Sequence, residues 1–176
     1  ALSEISTQAD RLSKIIQRVR TYAKRQHHKV KQENLSEIVD RALVSFRRSS
    51  LSSGIDVEVK APGKADALAE LELLIVNLLK NAAAASKDSR EKLISVQLSE
   101  EANEWLLSVS DHGQVISDKL LSRLSHPAKS FSDGLGLGLS ICRLIAENHG
   151  GKLTFKPNNS KGLIVTLHLP KANKEI

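Results

Sequence analysis

The chain has 176 residues, of which 40% are hydrophobic and 26% are charged, with a net charge of +6. This composition excludes a disordered or fibrous protein, and the sequence contains no apolar run approaching the roughly 18 residues of a membrane-spanning helix. The length predicts about one domain with room for a small attachment. Because Cys142 is the single cysteine, an intramolecular disulfide is excluded, and we expect a reducing, cytoplasmic setting.

The excess positive charge lies in the first 48 residues. They carry 11 Lys/Arg and 5 Asp/Glu, so residues 49–176 carry the remaining 15 of each. A basic helical segment of this kind favours the interpretation that the charges lie on the solvated face of a paired helix. The alternative is an arm that binds nucleic acid. Aromatic residues are only 3% of the chain, which leaves few platforms for stacking bases. We therefore predict no nucleic-acid partner and no contact with a membrane.

Residues 2–23 carry the clearest periodic pattern. Apolar residues alternate in spacings of three and four, which is an a/d heptad: Leu2, Ile5, Ala9, Leu12, Ile16, Val19 and Ala23. This strip requires a partner helix, from another chain or from sequence upstream. Since the chain opens inside this pattern without a methionine, we expect it to be a piece of a longer protein.

The rest of the chain alternates between helix and strand patterns. One predicted helix starts at Asn34, and two others span 66–86 and 138–149. The predicted strands span 55–59, 93–99, 105–110, 152–155 and 163–169. Residues 114–133 have only weak periodicity. This order predicts an α/β (α+β) fold in which a mixed, mostly antiparallel sheet carries helices on one face.

Asn77 and Asn81 lie four residues apart, so both amides share one face of the predicted helix. They could cap neighbouring loops. Alternatively, an amide oxygen could ligate a hard cation such as Mg²⁺, which prefers oxygen donors. The two asparagines alone leave both interpretations open.

Two further motifs follow. Asp111, His112 and Gly113 come directly after a predicted strand, where the carboxylate could accept from an exocyclic amino group or form an ordinary Asx turn. The segment 134–140, Gly-Leu-Gly-Leu-Gly-Leu-Ser, enters a helix and permits backbone N–H groups to approach phosphates. It matches neither a Walker loop nor a Rossmann fingerprint.

In this order and spacing, the three motifs resemble the ATP-binding catalytic domain of sensor histidine kinases. The resemblance covers residues 35–170 and is strongest from Gly134 to Leu153. The basic heptad helix resembles the end of the second helix of the dimerisation and phosphotransfer domain in the same proteins. We therefore predict two parts, with residues 1–33 belonging to that helix and its linker and residues 34–176 forming the catalytic domain.

The resemblance implies a two-layer sandwich of the Bergerat type that binds ATP and Mg²⁺. Asn81 would ligate Mg²⁺, and Asn77 would assist near the phosphates. Asp111 would bind the adenine amino group, and Gly113 would make room for the base. The remaining nucleotide contacts would come from the glycine-rich segment: Gly134, Leu135, Gly136, Leu137, Gly138 and Leu139.

Residues 114–133 would form a short mobile lid over ATP, with Arg123 and Lys129 as the candidates that neutralise the γ-phosphate. The implied reaction transfers the γ-phosphoryl group to a histidine that this chain lacks, because it contains no His-Glu-x-x-x-Pro box. Related ATPases place a glutamate general base where this chain has Asn77, so rapid hydrolysis is disfavoured.

The implied partners are a phosphoacceptor domain of the same or a sister subunit, a response regulator, and a second copy of the parent protein. Two departures from the family pattern motivate an alternative. Val115 replaces the second glycine after Asp111, and Ala84 stands where many relatives carry lysine. The alternative is a degenerate regulatory or dimerisation module with weak or no ATP binding.

Overall fold

The computed structural model describes residues 32–61, 66–68, 70–125, 137–159 and 161–171. The chain divides into two units, Ala1–Lys31 and Gln32–Ile176. The predicted heptad helix lies outside the described residues, so its assignment to a dimerisation domain stays a prediction.

A mixed five-stranded sheet forms one layer of the second unit. Its strands lie in the order β2-β4-β5-β7-β6, where β2 and β4 are parallel and every other neighbouring pair is antiparallel. This confirms the predicted mixed, mostly antiparallel sheet. The strands in chain order are β1 Gln32–Asn34, β2 Asp56–Lys60, β3 Asp66–Leu68, β4 Leu93–Glu100, β5 Glu104–Ser110, β6 Lys152–Pro157 and β7 Leu163–Pro170.

Helices form the second layer. They are α1 Leu35–Arg47, α2 Leu71–Ser86, α3 Asp118–Ser125 and α4 Leu137–Asn148, with a single 3-10 turn at Ser50–Ser52. The helix predicted from Asn34 is present, and Asn34 caps it by accepting a 3.0 Å hydrogen bond from the N–H of Ser36. Among the described residues, none of the helices combines the length and the apolarity that crossing a membrane requires.

The prediction of a helix over 66–86 is wrong at its start. The helix begins at Leu71, and Asp66–Leu68 instead pairs antiparallel with Gln32–Asn34 as a separate two-stranded sheet. Backbone pairing with a segment far away in sequence therefore overrides the local helix preference of these residues. Within the predicted lid, Asp118–Ser125 forms a helix that the weak periodicity did not reveal.

The core lies between the sheet and the helices. Alternate strand residues are buried on one face, namely Ile94, Val96, Leu98, Leu107, Val109, Val165, Leu167 and Leu169. The opposite face carries polar side chains among a few apolar ones, and a 2.9 Å hydrogen bond joins the hydroxyls of Ser108 and Thr166 there. Cys142 on α4 is fully buried, and burial raises the pKa of its thiol to about 12.

We predict that Phe46→Ala lowers the free energy of unfolding by about 3–5 kcal/mol, because Phe46 on α1 is completely buried and its loss leaves a cavity. Urea unfolding measures the change. Val44→Ala on the same helix is the control, since Val44 is 51% exposed and its truncation should cost no more than about 0.5 kcal/mol. Equal losses in the two variants would contradict the packing described.

Candidate functional site

A cavity of about 320 Å³ lies between α2, the end of β5 and the start of β7, with α3 and α4 at its sides. This volume is at the lower end of the range for small-molecule sites, about 300–1,000 Å³. A depression of about 600 Å³ at the opposite end of the sheet is larger but open. The smaller cavity is the better candidate because apolar walls there surround a few convergent polar groups.

The walls come from residues whose spacing matches their elements. On α2, Leu78, Ala82 and Ala85 follow one another at intervals of four and three, so they share a face. On β7, Leu163 and Val165 are two apart and project to the same side of the sheet. We call the space between these apolar walls the slot, and such walls suit the apolar faces of a ring.

Asp111 is the buried polar group at one end of this slot. It lies two residues after Val109, on the face of β5 that looks toward α2, and it is only 5% exposed. Its Oδ1 accepts a 2.8 Å hydrogen bond from the N–H of Gly113, which is the bond of an Asx turn. Asp111 therefore both forms an Asx turn and lines the cavity.

Burial raises the pKa of the Asp111 carboxyl. Hydrogen bonds from the backbone of Gly113 and Leu163 and the nearby His112 oppose this shift without cancelling it. A carboxylate that is buried in this way interacts little with solvent. It is a good hydrogen-bond acceptor for a donor that enters the slot.

Gly113 lies where the loop after β5 passes close to the end of α2. A Cβ on Gly113 would come within 2.8 Å of the carbonyl oxygen of Ala85 and 2.9 Å of Asp111 Oδ1. The close contact between these two backbone segments therefore explains why a glycine stands at position 113. Room for a base is the role that the family resemblance implies for Gly113, and it stays a prediction.

Asn77 and Asn81 do share one face of α2, and that face meets the first turn of α4. A Cβ on Gly138 would lie 3.4 Å from Asn81 Oδ1 and 3.7 Å from Asn77 Oδ1. Asn77 is 9% exposed and donates from Nδ2 to the carbonyl of Leu73 at 2.8 Å. Asn81 is exposed at the cavity and makes no hydrogen bond within the described part of the chain.

The first turn of α4 adds donors to this end of the site. The initial backbone N–H groups of a helix lack partners within the helix, and the helix dipole favours an anion there. Gly138 has no side chain to cover them. Amide oxygens for a cation and backbone donors for an anion therefore meet at the junction of α2 and α4.

The other predicted site residues are divided. Leu139 lines the cavity, and Leu137 begins α4. Arg123 lies on α3 and is half-buried, but the cavity is lined by its helix neighbours Leu120 and Leu124. The remaining four lie outside the described residues: Lys129, Gly134, Leu135 and Gly136.

The two departures from the family pattern lie at the mouth of the cavity. Val115 lines it but is 70% exposed, so its side chain does not fill the slot. Ala84 also lines the cavity and is exposed. Both residues are therefore largely open to solvent rather than buried in the cavity.

Sequence reasoning missed the wall residues. The signal was present, because Leu78 and Ala82 are spaced by four around Asn81, and Val109 precedes Asp111 by two. Leu163 and Val165 carried no signal of their own. Only the pairing of β7 with β5 brings them next to Asp111.

The donor set fits Mg²⁺. Among the residues that the structure describes, no group of three or more His, Cys, Asp or Glu side chains could hold a metal ion. Within the described residues, the junction of α2 and α4 supplies the amide oxygens of Asn81 and Asn77, and Mg²⁺ is commonly held by one or two protein oxygens together with phosphates and water. The residues present therefore suit a cation that arrives with a phosphate ligand.

The chain matches a known protein family over most of the second unit. The family of Histidine kinase-, DNA gyrase B-, and HSP90-like ATPase matches residues 66–173. This span contains α2, the loop after β5 and the start of α4.

Sequence relatives and a solved structure agree with this match. The chain is 32% identical over 180 residues to the C4-dicarboxylate transport sensor protein DctS of Rhodobacter capsulatus, covering 97% of this chain and 27% of that protein. It is 30% identical over 183 residues to the sensor protein FixL of Bradyrhizobium diazoefficiens, covering 99% and 36%. The chain thus spans about a third or less of each relative's length.

The catalytic domain of histidine kinase ThkA superposes with a TM-score of 0.68 and 25% identity, covering 82% of this chain and 98% of that domain.

We predict that Asp111→Asn leaves the free energy of unfolding unchanged or raises it. The native pKa of Asp111 is raised by burial, so the native state holds the proton more tightly than the unfolded state, and ionisation lowers stability as the pH rises between the two pKa values. The asparagine does not titrate, yet its oxygen can still accept from Gly113. The stability gained by the variant should therefore be larger at neutral than at acidic pH.

Urea unfolding at both pH values measures this difference. Asp40→Asn on α1 is the control, because Asp40 is exposed and its replacement should change stability by no more than about 0.5 kcal/mol. A large loss of stability in Asp111→Asn at neutral pH would show that the charge is stabilising instead.

Proposed function

This chain belongs to the family of histidine kinase-, DNA gyrase B-, and HSP90-like ATPases, and on that premise we propose that it is the ATP-binding catalytic module of a sensor histidine kinase. The observation that carries the proposal is the convergence of Asn77, Asn81 and Gly138 beside a cavity that both Asn81 and the buried Asp111 line. The module transfers the γ-phosphoryl group of ATP to a phosphoacceptor histidine outside this chain.

The adenine ring occupies the apolar slot. Its two faces contact the walls from α2 and β7, and its exocyclic amino group donates to the Asp111 carboxylate. Because that carboxylate is buried, a hydrogen-bond donor on the ring is needed to compensate its desolvation. A ring that carries an acceptor in place of the amino group leaves the carboxylate without this donor and is rejected.

The phosphates lie at the junction of α2 and α4. The backbone N–H groups of the first turn of α4 hold phosphate oxygens, and Asn77 and Asn81 direct their amide oxygens to the same region. The residues that fit Mg²⁺ are Asn81 and, beside it, Asn77. A cation held there would supply neutralisation of phosphate charge.

The arrangement suits transfer to a protein nucleophile better than hydrolysis. In the transfer, the bond between Pγ and the leaving oxygen of ADP breaks while a P–N bond to an imidazole nitrogen forms. Asn77 is an amide and cannot take a proton from water. The chain's contribution is to position the triphosphate and to neutralise charge, with Arg123 and Lys129 as the candidate cations.

The proposal implies partners for the parent protein. They are a phosphoacceptor domain of the same or a sister subunit, a response regulator, and a second copy of the protein in a homodimer. The names of the relatives support this, since DctS and FixL are sensor proteins. The cytoplasm, where ATP is available, is the compartment proposed for this module.

We predict that the chain binds a non-hydrolysable ATP analogue with Mg²⁺ at micromolar to sub-millimolar affinity, on the order of −5 to −8 kcal/mol. Asp111→Asn should weaken binding at least about tenfold, because a hydrogen bond to a charged acceptor is lost. Asn81→Ala should make the remaining binding insensitive to Mg²⁺. Calorimetric titration with and without Mg²⁺ measures both effects.

Asn103→Ala is the matched control for Asn81→Ala, because Asn103 is exposed in the hairpin between β4 and β5, away from the cavity. A folded wild-type chain that binds no nucleotide at millimolar concentration would overturn the proposal in favour of a degenerate regulatory or dimerisation module.

We also predict that the chain alone acquires no acid-labile phosphate from radiolabelled ATP, because it lacks the phosphoacceptor box. A dimerisation and phosphotransfer domain from a related sensor kinase, added in trans, should become labelled only when the wild-type chain is present. Asn81→Ala should reduce that labelling at least about tenfold, since the cation is no longer held. Label on His27 or His28 of the chain itself would contradict the prediction.

A further inference from the structure

The turn between β6 and β7 lies directly against the loop that carries Asp111. Asn158 Nδ2 donates a 2.7 Å hydrogen bond to the carbonyl oxygen of Asp111. The N–H of Gly162 donates to the carbonyl of Gln114 at 3.0 Å, and the N–H of Asp111 donates to the carbonyl of Leu163 at 3.0 Å. Two hydrogen bonds from the turn and one to the start of β7 therefore hold both ends of the four-residue segment 111–114.

Gly162 makes this close approach possible. Its φ of +90° lies in the region that favours glycine, and a Cβ built on it would overlap the carbonyl oxygen of Asp111. The same Cβ would lie 2.9 Å from Asp111 Oδ1. The turn is thus in contact with both the backbone and the carboxylate of Asp111.

The turn is braced internally. The N–H of Asn158 donates to the carbonyl of Gly162 at 3.0 Å, and the N–H of Lys161 donates to the carbonyl of Asn158 at 2.9 Å. Asn158 is half-buried, so its side chain has little freedom to leave the Asp111 carbonyl. A rigid donor is what a positioning contact requires.

The opposite side of the loop is held at a different residue. Ser89 Oγ donates to the carbonyl of His112 at 2.6 Å, and His112 Nδ1 lies 3.1 Å from the carbonyl of Leu93. These contacts orient His112 away from the cavity. Asp111 and Gln114, the two polar residues of the loop that line the cavity, are both held by the turn.

We propose that Asn158 and Gly162 are positioning residues for base recognition, fixing the Asp111 main chain so that its carboxylate selects a purine with a 6-amino group over one with a 6-oxo group. This inference rests on the proposed function, because it assumes that the slot holds the base of a nucleotide. The physical reason is geometric. A charge-assisted hydrogen bond is short, and a shift of about 1 Å in its acceptor removes most of its energy.

The test compares two nucleotides on the complete chain. Calorimetric titration with non-hydrolysable analogues of ATP and of ITP, each with Mg²⁺, gives the ratio of their affinities. We expect the wild-type chain to prefer the adenine analogue by about tenfold or more. Asn158→Ala should bring this ratio to within about threefold of one, chiefly through weaker binding of the adenine analogue.

Asn159→Gly is the matched control. Asn159 lies in the same turn, is exposed, and has a φ of +41° that glycine adopts readily, so its replacement keeps the turn. The preference for adenine should be unchanged in this variant. Asn158→Asp keeps the size of the side chain but removes the N–H donor, so it should change the ratio as Asn158→Ala does. If the alanine variant does not fold, the aspartate variant is tested in its place.

The outcomes separate the inference from the proposed function. A wild-type chain that binds neither analogue overturns the proposed function and this inference with it. A wild-type chain that prefers adenine, together with a folded Asn158 variant that keeps the same ratio, overturns the positioning role alone. A purely structural role would weaken both nucleotides equally and would likewise leave the ratio unchanged.

Discussion

The buried carboxylate of Asp111 is the constraint on which the rest of the site depends. Taking a charge out of water is unfavourable, and here burial raises the pKa of the group even though backbone N–H groups of Gly113 and Leu163 hydrogen-bond to it. Such a group is tolerated where its surroundings hold it and a ligand completes them. The loop, the turn between β6 and β7, and the end of α2 all meet at this residue.

Helix α2 connects this constraint to the other end of the site. Its buried residues, including Leu74, Leu78 and Leu79, pack into the core, and this fixes the height and rotation of the whole helix. The same rotation places Ala82 and Ala85 beside the slot and Asn77 and Asn81 beside Gly138. One rigid element therefore contributes both to the walls around Asp111 and to the group of residues at Gly138.

Much of the site could be predicted because its signals are local. A spacing of four puts Asn77 and Asn81 on one helix face whatever surrounds the helix, and a strand that ends at Ser110 places Asp111 directly after that strand. The start of α2 could not be predicted in this way. The local pattern extends the helix back to residue 66, but Asp66–Leu68 pairs with Gln32–Asn34, which is a contact between distant segments.

The sequence by itself determined the kinds of residues at the site, their order, the alternation that buries one face of the sheet, and the family resemblance. Tertiary structure alone decided that Leu163 and Val165 face Asp111 and that Asn158, 47 residues further along, holds its carbonyl. The difference is physical. Periodicity follows from the geometry of one element, whereas a contact between distant residues depends on how strands pair and how helices pack upon them.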